Sequence, residues 1–334
     1  LTHVQIITQP SQWRAALSQL GRYDFVHTYD YHQACQALDG SQPVAFAVCD
    51  DAGQVVGFWP TLRREIPQSE RVDLTSVYGY GGPIVAAPEY ERQCLELTFE
   101  HMRRAGAVSL FSRMHPLFPV ATEEYRGSKL SDVVVIQVAP TDDPMSTYRG
   151  SHRREIANAL RQGVSVVVDN SNEGRADFQR IYKAAMDEIG ASTQYYFSND
   201  FFKRIFEATD FRVDIYFAEY HGERIASSLF LTTGSIVQYF LSGTSGDWRK
   251  LAPSKVIIAN LHERALSASV DNIILGGGVG SAHDSLFKFK AGFSSVALPF
   301  FVTKKILDDR VYADLSGRMM NQGDGTGFFP AYRA

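Results

Sequence analysis

The chain has 334 residues, 45% of them hydrophobic, with a formal net charge of −4 and a pI near 6.2. That is enough apolar material for two domain-sized cores, and it excludes both a disordered chain and a global basic field that recruits DNA. No apolar run approaches the roughly 18 residues of a membrane helix, and Leu1 to Ile7 lacks the basic and apolar regions of a leader, so a cytoplasmic protein is expected. Cys35, Cys49 and Cys94 are odd in number and widely spaced, and read as reduced thiols.

In chain order, Ser11 to Leu20 reads as a helix. Val44 to Leu62 reads as strand, tight Asp50-Asp-Ala-Gly53 turn and strand, a hairpin signature. A strand-like segment then ends in Tyr78-Gly-Tyr-Gly-Gly-Pro83, followed by a helix from about Pro88 to Arg104 and a strand from Val108 to Ser112. Ala139 to Pro144 is a turn-rich linker. Tyr148 to Gly163 is a basic helix carrying Arg149, Arg153, Arg154 and Arg161. The order then repeats. A helix from Arg175 to Ile189 precedes a second hairpin, Asp214 to Leu231, with Gly222 standing where Gly53 stood. Ser235 to Ser242 is a strand, Pro253 to Ala268 a helix, and Asn272 to Leu275 a strand. Both crossover helices place proline near the first turn, where its missing N–H costs nothing.

Each half is therefore helix, hairpin, strand, helix, strand. An antiparallel hairpin giving way to strands joined by a crossover helix is the order of the GNAT acyltransferase fold. The expected fold class is α/β with mixed (α+β) sheets, in two tandem GNAT-like domains. These are residues 1–144, with the tail 306–334 packing on them, and residues 145–305.

Leu275 to Phe293 joins the last of these strands to a glycine loop and a charged, aromatic turn, with a new strand from Val296 to Val302. It is not a nucleotide loop: His283 follows Gly278 and Gly280 where a dinucleotide fingerprint needs a third glycine, and the Walker pattern is absent. On an extended segment Lys288 alternates with Lys290 and faces the other way, which gives Lys288 a structural role.

Several of these segments resemble the Fem family of peptidyl-bridge aminoacyltransferases, in the compact form without a coiled-coil arm. The resemblance is carried by Tyr78-Gly-Tyr-Gly-Gly-Pro83, Arg161-Gln-Gly-Val164, Ile189-Gly-Ala191 leading into Tyr195-Tyr-Phe197, Tyr239-Phe-Leu-Ser-Gly243 and Asp284-Ser-Leu-Phe-Lys-Phe-Lys290. The last matches the family's D-S-L-x-x-F-K motif. It implies a double-GNAT fold with Phe289 and Lys290 at the aminoacyl transfer centre. It also implies aminoacyl-tRNA as co-substrate, an amine acceptor, and neither metal nor cofactor. The lysine and arginine with which the compact enzymes hold a nucleotide-linked precursor are missing: the corresponding stretches are His32 to Leu38 and Ser192 to Tyr195. Relatives with this divergence include transferases of polysaccharide, lipid and peptide-antibiotic pathways, some of them acyl-CoA users.

Amide formation from an activated ester passes through a tetrahedral oxyanion, so a fixed cation or N–H donor is the usual source of catalysis. Lys290 fits that role, or grips the 3′ phosphates of a tRNA; the plain alternative is a surface lysine. His283 and Asp284 are candidate proton acceptors, although Asp284 equally suits a cap that bonds the local backbone. Tyr78, Tyr80, Tyr195, Tyr196 and Tyr239, with Arg113, are the candidate substrate-binding set at a domain junction, each alone also a plausible packing residue. Arg149, Arg153 and Arg154 are candidates for tRNA phosphates, or a solvated helix face. The CoA pattern R/Q-x-x-G-x-G/A is degenerate as Arg249-Lys-Leu-Ala-Pro-Ser254, which favours a donor other than CoA. His262-Glu263 lacks the second histidine of a zinc helix, and no G-x-S-x-G elbow occurs.

The sequence thus points to a transferase that moves an aminoacyl group from aminoacyl-tRNA onto a small-molecule or peptide amine of a cell-envelope or secondary-metabolite precursor. The alternatives are an acyl-CoA-dependent N-acyltransferase acting on an amino sugar or polyamine, and a non-catalytic double-GNAT binding scaffold.

Overall fold

The computed structural model describes residues 3–141, 143–320 and 328–333. Leu1 and Thr2, Asp142 of the expected linker, and residues 321–327 and 334 of the expected tail lie outside the described residues. The chain forms two compact units, residues 1–130 with 299–334, and residues 131–298.

In the first unit, β1 (His3–Ile7) and the helices α1 (Pro10–Leu20) and α2 (Tyr29–Asp39) precede the hairpin β2 (Gln42–Cys49) and β3 (Val55–Glu65). Pro10 opens α1, and Thr28 caps α2 by accepting the Tyr31 N–H at 3.4 Å. The hairpin closes because Gly53 adopts φ 79°, while the Asp50 carboxylate accepts the N–H groups of Ala52 and Gln54 at 2.9 and 2.8 Å. Then come β4 (Val72–Thr75), β5 (Ile84–Val85), the crossover helix α3 (Glu91–Arg104), β6 (Ala107–Arg113) and the single turn α4 (Glu123–Arg126). β2, β3 and β4 are antiparallel, and the crossover makes β4 and β6 parallel. One sheet face buries Phe46, Trp59 and Leu110 against Leu95 and Phe99 of α3. Phe58 on the opposite face packs on Trp13 and Leu17 of α1.

The second unit repeats this plan. β7 (Ser128–Gln137), α5 (Gly150–Arg161), β8 (Ser165–Val168), α6 (Asn172–Glu188) and α7 (Asn199–Glu207) lead to the hairpin β9 (Arg212–Tyr220) and β10 (Glu223–Thr233). Its turn glycine, Gly222, has φ 80°, matching Gly53. β11 (Ile236–Thr244), the crossover helix α8 (Pro253–Ala265), β12 (Asn272–Gly276) and the short helix α9 (Ser285–Lys290) follow. β9, β10 and β11 are antiparallel, and β11 and β12 are parallel. Its core packs Ile156 of α5 with Ile257, Ile258 and Leu261 of α8 and with Phe293. After them come β13 (Ala297–Ile306) and α10 (Asp309–Met320), and a single 3-10 turn at Ala331–Arg333.

The unit boundaries differ from the expected 144/145 and 305/306. β7 follows the first repeat in sequence yet pairs antiparallel with β12, and β13 follows the second repeat yet pairs antiparallel with β6. Each unit thus takes its last strand from the segment after the other repeat, which moves the boundaries to Ser131 and Pro299. No helix among the described residues is long and apolar enough to cross a membrane.

Candidate active site

The loop between β12 and α9 is folded on its own aspartate. Asp284 caps α9, with Oδ1 accepting the Phe287 N–H at 2.9 Å and Oδ2 accepting the Val279 N–H at 3.1 Å. The Phe287 N–H, helped by its neighbours, holds the carboxyl below the usual aspartate range. Gly278 is required here, since a Cβ would strike the Ala282 carbonyl and the Asp284 carboxylate. Residues 285–290 are helical, not the expected extended turn. Two residues along a helix rotate by about 200°, so Lys288 is exposed and Lys290 buried. Lys288 faces away as anticipated, through helical rotation instead of strand alternation.

Lys290 ends α9 with only 9% of its surface exposed. Its Nζ donates to the Gly277 carbonyl at 2.7 Å, and it makes no ion pair among the described residues. Burial pushes its pKa down to about 8, against a weaker opposing pull from Asp284. The result is an amine with spare donor capacity, chargeable near neutrality, at the carboxyl end of the parallel pair β11 and β12. Ligand crevices in such sheets open at that end.

His152 holds this helix from the other side. On α5 it shares the inward stripe with Ile156 and Ala159, and its ring lies 4.7 Å from Phe293 and 5.9 Å from Phe289. Its Nε2 is 2.9 Å from the Phe289 carbonyl. A carbonyl only accepts, so Nε2 carries the proton and Nδ1 is a buried acceptor with no partner among the described residues. Burial lowers the His152 pKa below the ordinary histidine value. The Arg149 N–H adds a bond to the Gly292 carbonyl at 2.8 Å. His152 lies within the basic helix among the arginines, and the 152, 156, 159 spacing is the sequence signal that marks it as inward-facing. Gly292 exists because a Cβ there would enter the imidazole. Gly292→Ala is therefore expected to destabilise the protein by about 1–3 kcal/mol, and an unchanged urea midpoint would contradict this packing.

The remaining candidates are distributed as follows. His283 is exposed, stacks on Phe287 at 4.0 Å and lies 3.3 Å from Asp132; no hydrogen bond joins it to Lys290 among the described residues. Phe289 is half-buried on the second unit's core. Tyr239 donates to Ser242 Oγ at 2.6 Å and packs on Phe230. The backbone carbonyl of Tyr195 accepts the Tyr182 hydroxyl at 2.8 Å, and Tyr196 is exposed beside Asp187. Tyr78, Tyr80 and Arg113 belong to the first unit, where Tyr80 meets Phe300 edge-on and Arg113 lies over Phe111. Arg149, Arg153 and Arg154 are exposed at the start of α5, around the inward-facing His152. Among the described residues no group of histidine, cysteine and carboxylate side chains could hold a metal ion.

Comparison with known proteins agrees with this architecture. Residues 146–288 match the acetyltransferase (GNAT) domain. The solved structure of FemX is similar over 92% of this chain and 98% of its own, with a TM-score of 0.69 and 13% identity. L-PGS from Bacillus licheniformis is similar over 93% of this chain and 97% of its own, with a TM-score of 0.57 and 11% identity. The fold is a tandem GNAT fold. No curated protein sequence matches the chain significantly.

Free backbone N–H groups at a helix N-terminus are what a pyrophosphate needs, and the CoA-like segment Arg249–Ser254 leads into the start of α8. That start is poor in free N–H groups. Pro253 has none, and the Lys255 N–H bonds the Ala252 carbonyl at 3.0 Å. Ala252 itself is left-handed at φ 48°, and Arg249 is turned to Glu188 at 3.1 Å.

Proposed function

We propose that the protein is a transferase that forms an amide by moving an aminoacyl group from aminoacyl-tRNA onto an amine of a cell-envelope or secondary-metabolite precursor. The observation that carries this reading is Lys290, a buried amine with spare donor capacity at the carboxyl end of a parallel strand pair. The acceptor amine attacks the ester carbonyl, forming the N–C bond and an oxyanion that takes a hydrogen bond from the Lys290 ammonium. The C–O bond to the ribose then breaks, and the leaving 3′ oxygen takes the proton the amine loses. That route needs no protein base, which suits Asp284, whose two oxygens are spent on backbone N–H groups. Arg149, Arg153 and Arg154, flanking His152 on the helix that grips Phe289, supply cations for tRNA phosphates.

The match to an acetyltransferase domain favours one second reading, an acyl-CoA N-acyltransferase acting on an amino sugar or polyamine. The amide-poor start of α8 weighs against it. Purified protein is offered mixed charged tRNAs and, separately, an acyl-CoA panel, and amide formation is followed by mass spectrometry. Product from charged tRNA is expected. Product from acyl-CoA alone would overturn the donor assignment, and no product from either would leave a binding scaffold.

A further inference from the structure

We propose that the first unit carries its own ligand site, for a small organic anion with an apolar body and a carboxylate or phosphate head. A cavity of 610 Å³ opens where the parallel strands β4 and β6 end, lined by Thr75 at the end of one and Ser76 just after it, and by Phe111 and Arg113 of the other. In the second unit, Lys290 and Gly277 likewise lie at the carboxyl end of a parallel pair, β11 and β12. A duplicated fold repeats its crevice as well as its strands. The volume suits a small molecule, for which sites of roughly 300–1,000 Å³ are usual.

The lining sets the chemistry. Arg64, Arg113 and Lys304 reach the cavity against one carboxylate, Asp39. The Arg64 charge is met by Asp73 at 2.7 Å, whereas Lys304 makes no ion pair among the described residues. A positive wall of this kind takes an anionic head. The apolar half is equally marked. Leu38, Tyr78 and Phe328 leave 41%, 37% and 55% of their surface in water, and all three line this cavity. Large apolar side chains gathered at one mouth mark a binding surface.

The wall formed by Phe328 and Phe329 is built into the unit. Tyr332 shares a 2.7 Å hydrogen bond with Ser109, and Arg333 bonds both the fully buried Asp73 and the Glu65 carbonyl. Cys35, also in the lining, has its thiol pushed up to about 12 by burial and stays a neutral wall group. Every lining residue belongs to the first unit, and two of them, Tyr78 and Arg113, are among the candidate substrate-binding residues, yet binding at this site is read without any transfer taking place.

The test is fluorescence titration of the full chain with 8-anilino-1-naphthalenesulfonate, an aromatic anion. Saturable binding to a single site is expected, weakened at least about tenfold by Lys304→Glu and by Phe328→Ala, and unaffected by Lys290→Ala. Both Lys304 and Phe328 are exposed, so neither change threatens folding. N-phenyl-1-naphthylamine, the same rings without the charge, is expected to bind at least about tenfold more weakly. Hydrocinnamate and phenyl phosphate are expected to displace the dye, the stronger competitor naming the head group. No saturable site, a site that both variants leave unchanged, or equal binding of the neutral dye would overturn the proposal.

Discussion

Lys290→Ala is expected to lower kcat/KM for amide formation by at least about tenfold and by up to about 10³, the loss that follows removal of one oxyanion donor. The same residue is expected to be a burden on stability. Its pKa falls from 10.5 free to about 8 in the folded chain. Between those values the unfolded state binds more protons, so stability rises with pH across that window; below pH 8 the buried ammonium costs roughly 3 kcal/mol. Lys290→Met removes that cost and loses the bond to the Gly277 carbonyl, worth about 1 kcal/mol. A gain of roughly 2 kcal/mol at pH 7 is expected alongside the loss of activity, measurable by urea unfolding. A Met variant that is both less stable and fully active would show that Lys290 is a packing residue.

The second large effect lies in the first unit and is expected in mild acid. His32 is fully buried, and its Nδ1 donates to the Thr28 carbonyl at 2.8 Å, leaving Nε2 without a partner among the described residues. Protonating Nε2 would strand a charge, and burial accordingly lowers the pKa to about 4. His27, also fully buried, is held well below its ordinary value by burial and by His115 and His32 nearby. Asp24, also buried, accepts from His115 Nε2 at 2.9 Å. The sign follows from linkage. Unfolded histidine binds a proton below pH 6.5 and folded His32 does not, so this stability is full above pH 6.5 and is lost as pH falls toward 4. His32 alone accounts for roughly 3 kcal/mol across that window, and His27 adds to it. Urea midpoints at pH 7.5 and 5 should differ sharply; equal midpoints would mean that both rings are protonated without strain.

What the sequence disclosed follows from how local its signals are. Both hairpins are visible because apolar strand runs flank the turns at Gly53 and Gly222, and both crossover helices because Pro88 and Pro253 stand near their starts. The duplication followed from those two signals. The exchange of β7 and β13 was not visible, since a strand's partner far along the chain leaves no mark on its own residues. α9 was missed for another reason. Six residues carry too little periodicity to outweigh an extended reading, and its clearest signal, the Asp284 cap, was already shared with the turn interpretation. The burial of Lys290 and the grip of His152 on Phe289 depend on packing between α9 and α5, which the motif alone does not encode.

In the proposed reaction the buried amine of Lys290 serves amide transfer. Its most direct test is the initial rate of amide formation from charged tRNA by wild-type and Lys290→Ala protein in one mass-spectrometric assay. Product from the wild type and a rate at least about tenfold lower for the variant are expected. Equal rates for the two proteins, or product from acyl-CoA only, would contradict it.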